Sequence, residues 1–188
     1  MGLATLEHCR TVEDDARRDE NEGRLIREVT AFMDTANPAY RTQLETTGKF
    51  EFGPNANPTL QFYDSTIIED VGNAYVLCFS EVENPGYQEN QYGEHIMRVT
   101  APYTLFEVIT KRLDQVFPLR KAVFGRVHYK SRNVTNFTPV NIRRDLIKPP
   151  VFSCDKEVRM TWFPRQHVIV PEFRLQCLEA RAFCDILQ

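Results

Sequence analysis

A carboxylate and a guanidinium stand two residues apart in Glu157-Val158-Arg159, at the start of an apolar stretch that ends at Phe163. If this stretch is a strand, alternation places Glu157, Arg159 and Thr161 on one face. The pair can be an ordinary ion pair between strands. It can equally be a carboxylate that stabilises a developing positive charge, with an arginine that fixes this carboxylate or holds a phosphate.

A hydroxyl group ends the most apolar strand of the sequence. Cys78-Phe79-Ser80 closes a run of apolar residues that begins at Ala74. Side chains alternate in direction along a strand, so Ser80 can line the mouth of a pocket where the strand emerges. The polar loop that follows contains Tyr92, whose ring can stack on a planar ligand. Taken alone, these residues also fit an ordinary strand end.

Charged residues of both signs cluster near the N-terminus, where Arg17 and Arg18 are followed by Asp19, Glu20 and Glu22. One interpretation is a solvated helix start, in which the acidic groups complement the helix dipole. The other is a set of guanidinium forks that bind phosphate and are oriented by the neighbouring carboxylates.

These motifs together resemble a known family. In chain order, Arg17 or Arg18, then Ser80 and then Glu157 resemble the arginine, serine and glutamate series of the ADP-ribosyltransferase-like superfamily. Further short motifs resemble uncharacterised bacterial proteins found beside phage-defence and toxin genes: Glu22-Gly23, Cys78-Phe79-Ser80, Tyr92-Gly93, and a strand reached from Lys148 through Glu157 to Arg159.

The resemblance implies NAD as a substrate and a toxin or defence role. In that superfamily the arginine supports NAD, the serine shapes the nicotinamide site and the glutamate bonds the ribose. It therefore implies Glu157 and Ser80 as catalytic residues, with an unknown protein or nucleic acid as acceptor. Cleavage of the nicotinamide–ribose bond passes through an oxocarbenium-like state, which needs a nearby carboxylate. The residues implied in NAD binding are Arg17, Arg18, Tyr92 and Arg159.

Two positions depart from the usual pattern of the superfamily. The common S-T-S motif is Cys78-Phe79-Ser80 here, and Asp155 stands where the first residue of the usual E-x-E or Q-x-E pair is found. Both departures bear on transfer onto arginine, so the enzymatic assignment, to an ADP-ribosyltransferase or an NAD glycohydrolase, stays open. The alternative is a non-catalytic module of a defence or toxin system that binds a nucleotide or a partner.

A third hypothesis is an RNA-directed enzyme. It depends on five basic residues that fall within about twenty positions, as in a nucleic-acid-binding surface: Lys130, Arg132, Arg143, Arg144 and Lys148. The net charge of −3 opposes it, because binding to a polyanion is driven by positive charge.

Composition limits the class of protein. The chain has 188 residues, of which 42% are hydrophobic, so it can bury a core. Its five cysteines include no C-x-x-C pair, and no metal-binding histidine motif or glycine-rich phosphate loop occurs, so we predict no metal. The apolar run at 74–79 is too short to span a bilayer, and the start lacks the features of a signal peptide. We therefore expect a cytoplasmic protein without a membrane partner.

The pattern of strands and helices predicts an α+β fold with a mostly antiparallel sheet that is whole or split. We expect a single domain over residues 1–188, in which residues 1–15 can be flexible. Alternation and apolar runs predict the strands that carry the motifs: residues 59–68, 74–80, 94–99, 122–129 and 157–163, the last in a hairpin with 167–170.

The sequence also predicts an N-terminal helix and one or two further helices. Leu25 and Val29 recur at helical spacing, which predicts a helix over residues 21–34 that ends at Asn37-Pro38. A second helix begins at Pro102, because proline is favoured in the first turn.

Overall fold

The computed structural model describes residues 2–11, 19–30, 33–46, 61–62, 64–81, 96–135, 140–165 and 173–187. Its strands are, in chain order, β1 (Gly2–Thr5), β2 (Arg24–Val29), β3 (Met33–Asp34), β4 (Gln61–Phe62), β5 (Ser65–Asp70), β6 (Tyr75–Ser80), β7 (Ile96–Val99), β8 (Leu119–Arg126), β9 (His128–Tyr129), β10 (Asn133–Thr135), β11 (Ile147–Lys148), β12 (Glu157–Pro164), β13 (Phe173–Arg174) and β14 (Cys184–Leu187). Its helices are α1 (Leu6–Thr11), α2 (Pro38–Thr46) and α3 (Pro102–Val116), with 3-10 helices at Arg144–Leu146, Pro150–Asp155 and Glu179–Phe183. The predicted α+β class is confirmed.

The contacts of the chain group into two compact units. The first unit contains residues 1–22, 72–127 and 151–188, and the second contains residues 23–71 and 128–150. The expected single domain over residues 1–188 stays a prediction.

A five-stranded sheet in the order β13-β1-β6-β12-β8 organises the first unit, and each of its pairs is antiparallel. Strand β12 pairs with β6 on one edge and with β8 on the other, which makes it a central strand. The strands predicted at 74–80 and 157–163 are thereby confirmed. Residues 167–170, the predicted hairpin partner of the second, lie outside the described residues.

Helix α3 covers one face of this sheet. Trp162 of β12 is fully buried, and its indole Nε1 donates a hydrogen bond of 2.7 Å to Thr110 Oγ1 of the helix. Met160 of the same strand belongs to the same core. The helix begins at Pro102 as predicted, and three of its side chains on one face are buried: Leu105, Ile109 and Leu113.

Residues 2–11 form β1 and α1, and both Leu3 and Leu6 are buried. The flexibility expected for residues 1–15 stays a prediction. The amide of Leu6 donates to the carbonyl of Ala74 at 3.0 Å, which fixes the start of α1 beside the sheet. Residues 12–15 lie outside the described part of the chain.

The second unit is built on a three-stranded sheet in the order β10-β2-β5. Strand β5 runs antiparallel to β2, whereas β10 runs parallel to it. Two short pairs accompany this sheet, the parallel pair of β9 with β11 and the antiparallel pair of β3 with β4.

The helix predicted at residues 21–34 is wrong, because Arg24–Val29 form β2. Burial along this strand alternates, and the inward residues are Leu25, Arg27 and Val29. Arg27 can occupy an inward position because Glu69 on the neighbouring strand β5 neutralises its charge. Pairing with a strand about forty residues away overrides the local helical pattern.

Asn37-Pro38 begins a helix instead of ending one. Pro38 is the first residue of α2, and the amide of Ala39 donates to Asn37 Oδ1 at 3.0 Å. This is an N-cap, in which a side-chain oxygen satisfies an amide that has no partner within the helix. None of the helices in the described ranges combines the length and apolar character needed to cross a membrane.

The packing of α3 predicts a large cost for truncating its buried face. Replacing Ile109 by alanine should lower the free energy of unfolding by about 2–5 kcal/mol, since the change removes buried methyl groups and leaves a cavity. Urea denaturation of the variant measures this loss. Ile186→Ala, at an exposed position of β14, is the control and should change the value by about 0.5 kcal/mol or less. Similar losses in both variants would contradict the assigned core.

Candidate functional site

The sheet of the first unit has one polar face, at the end where β6 finishes and β12 begins. Glu157 is the register partner of Ser80, and Arg159 is the register partner of Cys78. Register partners in an antiparallel pair point to the same face, so these four side chains share a surface. Gly125 of β8 lies opposite Arg159 on the other edge and has no side chain to fill the adjoining space.

Three charged side chains form a buried network on this face, which we call the acidic cluster: Glu22, Arg159 and Glu157. Arg159 Nε donates to Glu157 Oε1 at 2.7 Å, and its Nη2 lies 2.6 Å from the same oxygen. Its Nη1 donates to Glu22 Oε1 at 2.6 Å. The side chains of Glu22, Arg159 and Glu157 are 3%, 2% and 6% exposed. Two carboxylates around one guanidinium give the cluster a formal charge of −1.

Burial and the two carboxylates act in opposite directions on Arg159. Burial alone would lower its pKa, but the charges of Glu22 and Glu157 outweigh burial and raise the pKa well above its ordinary value. Arg159 is therefore a fixed positive charge at every accessible pH. Its donors are directed at carboxylates within the protein, which makes it a group that positions Glu157.

Cys78 completes the surroundings of Glu157. The residue is exposed, yet enough protein surrounds its thiol that desolvation raises the pKa well above the ordinary value. The charge of Glu157 and a hydrogen bond to it raise the pKa further. The thiol is protonated at neutral pH and donates to the carboxylate.

A strained turn places Glu157 at the start of β12. Lys156, directly before it, has a φ of 45°, which is the left-handed region and costs a non-glycine residue about 1–2 kcal/mol. Two contacts from the end of β6 hold this turn. Ser80 Oγ donates to the carbonyl of Asp155 at 2.7 Å, and the amide of Glu81 donates to the carbonyl of Lys156 at 3.0 Å. The hydroxyl of Ser80 thus supports the backbone that presents the carboxylate.

Glu22 is the site residue that sequence reasoning did not select. A turn brings Glu22 to the sheet. The amide of Glu22 donates to the carbonyl of Asp19 at 2.9 Å, and the carbonyl of Glu22 accepts a hydrogen bond of 2.8 Å from Arg10 Nε. Gly23 follows with a φ of 70°, a conformation that favours glycine. The Glu22-Gly23 motif was the available signal, but its partner Arg159 lies 137 residues further along the chain.

The structure brings together three of the six predicted site residues: Ser80, Glu157 and Arg159. The other three predicted residues, Arg17, Arg18 and Tyr92, lie outside the described residues. In the ranges that the structure does describe, no group of three or more histidine, cysteine, aspartate or glutamate side chains is arranged to hold a metal ion.

The acidic cluster predicts a large effect of removing its cation. Arg159→Met leaves Glu22 and Glu157 buried without their counter-charge, so the free energy of unfolding should fall by about 3–5 kcal/mol. Arg126→Met is the matched control, because Arg126 pairs with Glu81 on the same sheet at 2.8 Å but is 77% exposed. This exposed pair should contribute about 1 kcal/mol or less. Equal losses in urea denaturation would argue against a special role for the cluster.

The contact between Cys78 and Glu157 predicts a change in thiol reactivity. The thiolate is the reactive form, and the negative charge of Glu157 raises the thiol pKa. Glu157→Gln removes this charge, so the pKa should fall and alkylation of Cys78 by iodoacetamide at pH 8 should accelerate several-fold. Peptide mass spectrometry measures the rate, and the exposed Cys154 is an internal control that should not change. Slower or unchanged labelling of Cys78 would refute the contact.

Three comparisons with known proteins, against family models, curated proteins and solved structures, find no match to this chain. The relationship to the ADP-ribosyltransferase-like superfamily therefore stays a prediction that rests on the motifs of the sequence.

Proposed function

We propose that this chain is an ADP-ribosyltransferase-like protein that cleaves the nicotinamide–ribose bond of NAD at Glu157. The observation that carries the proposal is the placement of this carboxylate, at the start of the central strand β12 beside Ser80, in a buried cluster of formal charge −1. A toxin or phage-defence role in the cytoplasm, with a protein or nucleic acid as the acceptor, belongs to the same proposal.

A negative cluster suits the charge that this reaction develops. The bond between ribose C1′ and the nicotinamide nitrogen breaks, and its electrons leave on that nitrogen. Positive charge then develops at C1′ before water, or a nucleophilic atom of an acceptor, bonds to this carbon and loses a proton. A carboxylate that is fixed in advance stabilises such charge without the cost of reorientation, and burial strengthens the effect.

The contacts within the acidic cluster indicate a separate role for each side chain. Glu157 acts on the developing charge, and Arg159 and Glu22 are positioning residues that hold it in one orientation. Ser80 supports the turn that precedes Glu157. Binding of the NAD phosphates then falls to Arg17 and Arg18, and binding of the nicotinamide ring to Tyr92, as the resemblance implies.

A second candidate is the non-catalytic module that binds a nucleotide or a partner. It is favoured by the low exposure of Glu157, 6%, and by the commitment of its Oε1 to Arg159. On this interpretation the acidic cluster only fixes the structure. The RNA-directed hypothesis is less well supported, because Arg132 and Arg143 are engaged by the carbonyl of Ile147 and the carboxylate of Asp145.

The proposal predicts that NAD turnover depends on the charge of Glu157. Glu157→Gln keeps the shape of the side chain, and Glu22 remains to neutralise Arg159, so the variant should fold. Release of nicotinamide from NAD should fall at least about a hundredfold, in the range typical for loss of an electrostatic catalytic group. Chromatography of free nicotinamide measures the reaction.

Glu81→Gln is the matched control for this experiment. Glu81 lies one residue beyond β6 and its carboxylate pairs with the exposed Arg126, so the substitution removes the same charge nearby and should leave turnover unchanged. Equal turnover in the parent and in Glu157→Gln would refute the catalytic assignment. A rise in Tm with NAD, but no nicotinamide release by the parent, would favour the binding module.

A further inference from the structure

The second unit contains a charged cluster of opposite sign, which we call the basic cluster: Arg27, Glu69 and Arg144. Glu69 on β5 is the register partner of Leu25, and Arg27 on β2 is the partner of Ile67, so Arg27 and Glu69 share the buried face of the sheet. Arg27 Nε donates to Glu69 Oε1 at 3.0 Å. Arg144, from the 3-10 helix Arg144–Leu146, donates through Nη2 to Glu69 Oε2.

One carboxylate therefore serves two guanidiniums, and the three side chains carry a formal charge of +1. Neighbouring arginines of the same unit have a carboxylate each. Arg24 pairs with Asp70 at 2.9 Å, and the fork of Arg143 meets both oxygens of Asp145. The sharing of Glu69 thus sets the basic cluster apart from the other ion pairs described in this unit.

Arg144 also has a donor to spare. Its Nε is buried and has no hydrogen-bond partner within the described part of the chain. Burial lowers the pKa of Arg144, and the charge of Arg27 lowers it further, because two like charges meet at one carboxylate. A second anion beside Arg144 would satisfy the donor and relieve this repulsion. The side chain of Arg144 as a whole is 28% exposed, so an anion can approach this side chain from solvent, and a small rotation of the guanidinium would bring the buried Nε to it.

We propose that the basic cluster binds the phosphate group of a small phosphorylated molecule, with Arg144 as the principal ligand and Arg27 as a supporting charge. A guanidinium presents planar, parallel donors that match two oxygens of a phosphate. A phosphate dianion supplies negative charge and several acceptors. This site lies wholly within the second unit and is independent of the acidic cluster and of NAD cleavage.

A single phosphate fits these residues better than a nucleic-acid backbone does. An extended polyanion needs a continuous row of basic side chains that reach solvent. Arg132, however, is buried and donates through Nε and Nη2 to the carbonyl of Ile147, and Arg143 is neutralised by Asp145. Arg132 and Arg143 are thus already engaged within the protein, whereas Arg144 keeps a donor that has no hydrogen-bond partner in the described part of the chain.

Thermal unfolding of the full chain tests the proposal with three probes at constant ionic strength: inorganic phosphate, adenosine 5′-monophosphate and a single-stranded RNA. Inorganic phosphate should raise Tm by about 5 °C at a hundredfold excess over its Kd. A similar shift with the monophosphate would extend the site to phosphorylated small molecules. RNA binding without any effect of inorganic phosphate would overturn the proposal in favour of a nucleic-acid surface.

Substitutions show whether the shift comes from Arg144. Arg144→Gln should abolish the response to phosphate, and Arg144→Lys, which keeps the charge but loses the planar fork, should weaken binding at least about tenfold. Arg24→Gln is the matched control: it removes the same charge from the same unit at a partly exposed ion pair, and its response should equal that of the parent. If Arg144→Gln fails to fold, the phosphate response of Arg144→Lys is the test of the site. An undiminished phosphate response in the Arg144 variants would refute the site.

Discussion

The buried guanidinium of Arg159 is the constraint on which the first unit depends. A charge at the centre of a sheet is tolerated only with close partners of opposite sign, and Arg159 takes two, Glu22 and Glu157. One partner is two residues away on the same strand, whereas the other lies in the turn that follows α1. The ion network therefore contributes to the position of residues 19–22 on the polar face, while α3 covers the apolar face with buried side chains and one hydrogen bond from Trp162.

Both units place arginine side chains in their interior beside carboxylates, but in opposite ratios. In the first, two carboxylates enclose one guanidinium, and in the second, Arg27 and Arg144 share the one carboxylate of Glu69. The three side chains of the first arrangement have a formal charge of −1, which the proposed cleavage of NAD would use. Those of the second have a formal charge of +1, which the proposed phosphate site would use.

The sequence pattern was sufficient to predict the strands and the helix whose formation depends mainly on neighbouring residues. Alternation and apolar runs were sufficient for β6 and β12, and the proline and apolar stripe were sufficient for α3. The sequence predicted a helix in place of β2 because a buried arginine at position 27 is favourable only with Glu69 on the neighbouring strand. Glu22 was not selected for the same reason, since its partner Arg159 is distant in sequence. A charge that is buried by a distant partner looks, in sequence, like an ordinary surface charge.

The acidic cluster is better explained by a need for charge than by a need for stability. Replacing a buried ion network by apolar side chains of similar volume is often neutral or stabilising, so a sheet that needed only packing would gain little from Arg159. The left-handed backbone at Lys156 adds a further cost directly before Glu157. Two unfavourable features, a buried charge and a strained turn, thus converge on one carboxylate. Both are accounted for if that carboxylate must be held in one place and remain ionised, which is what stabilisation of a developing positive charge requires.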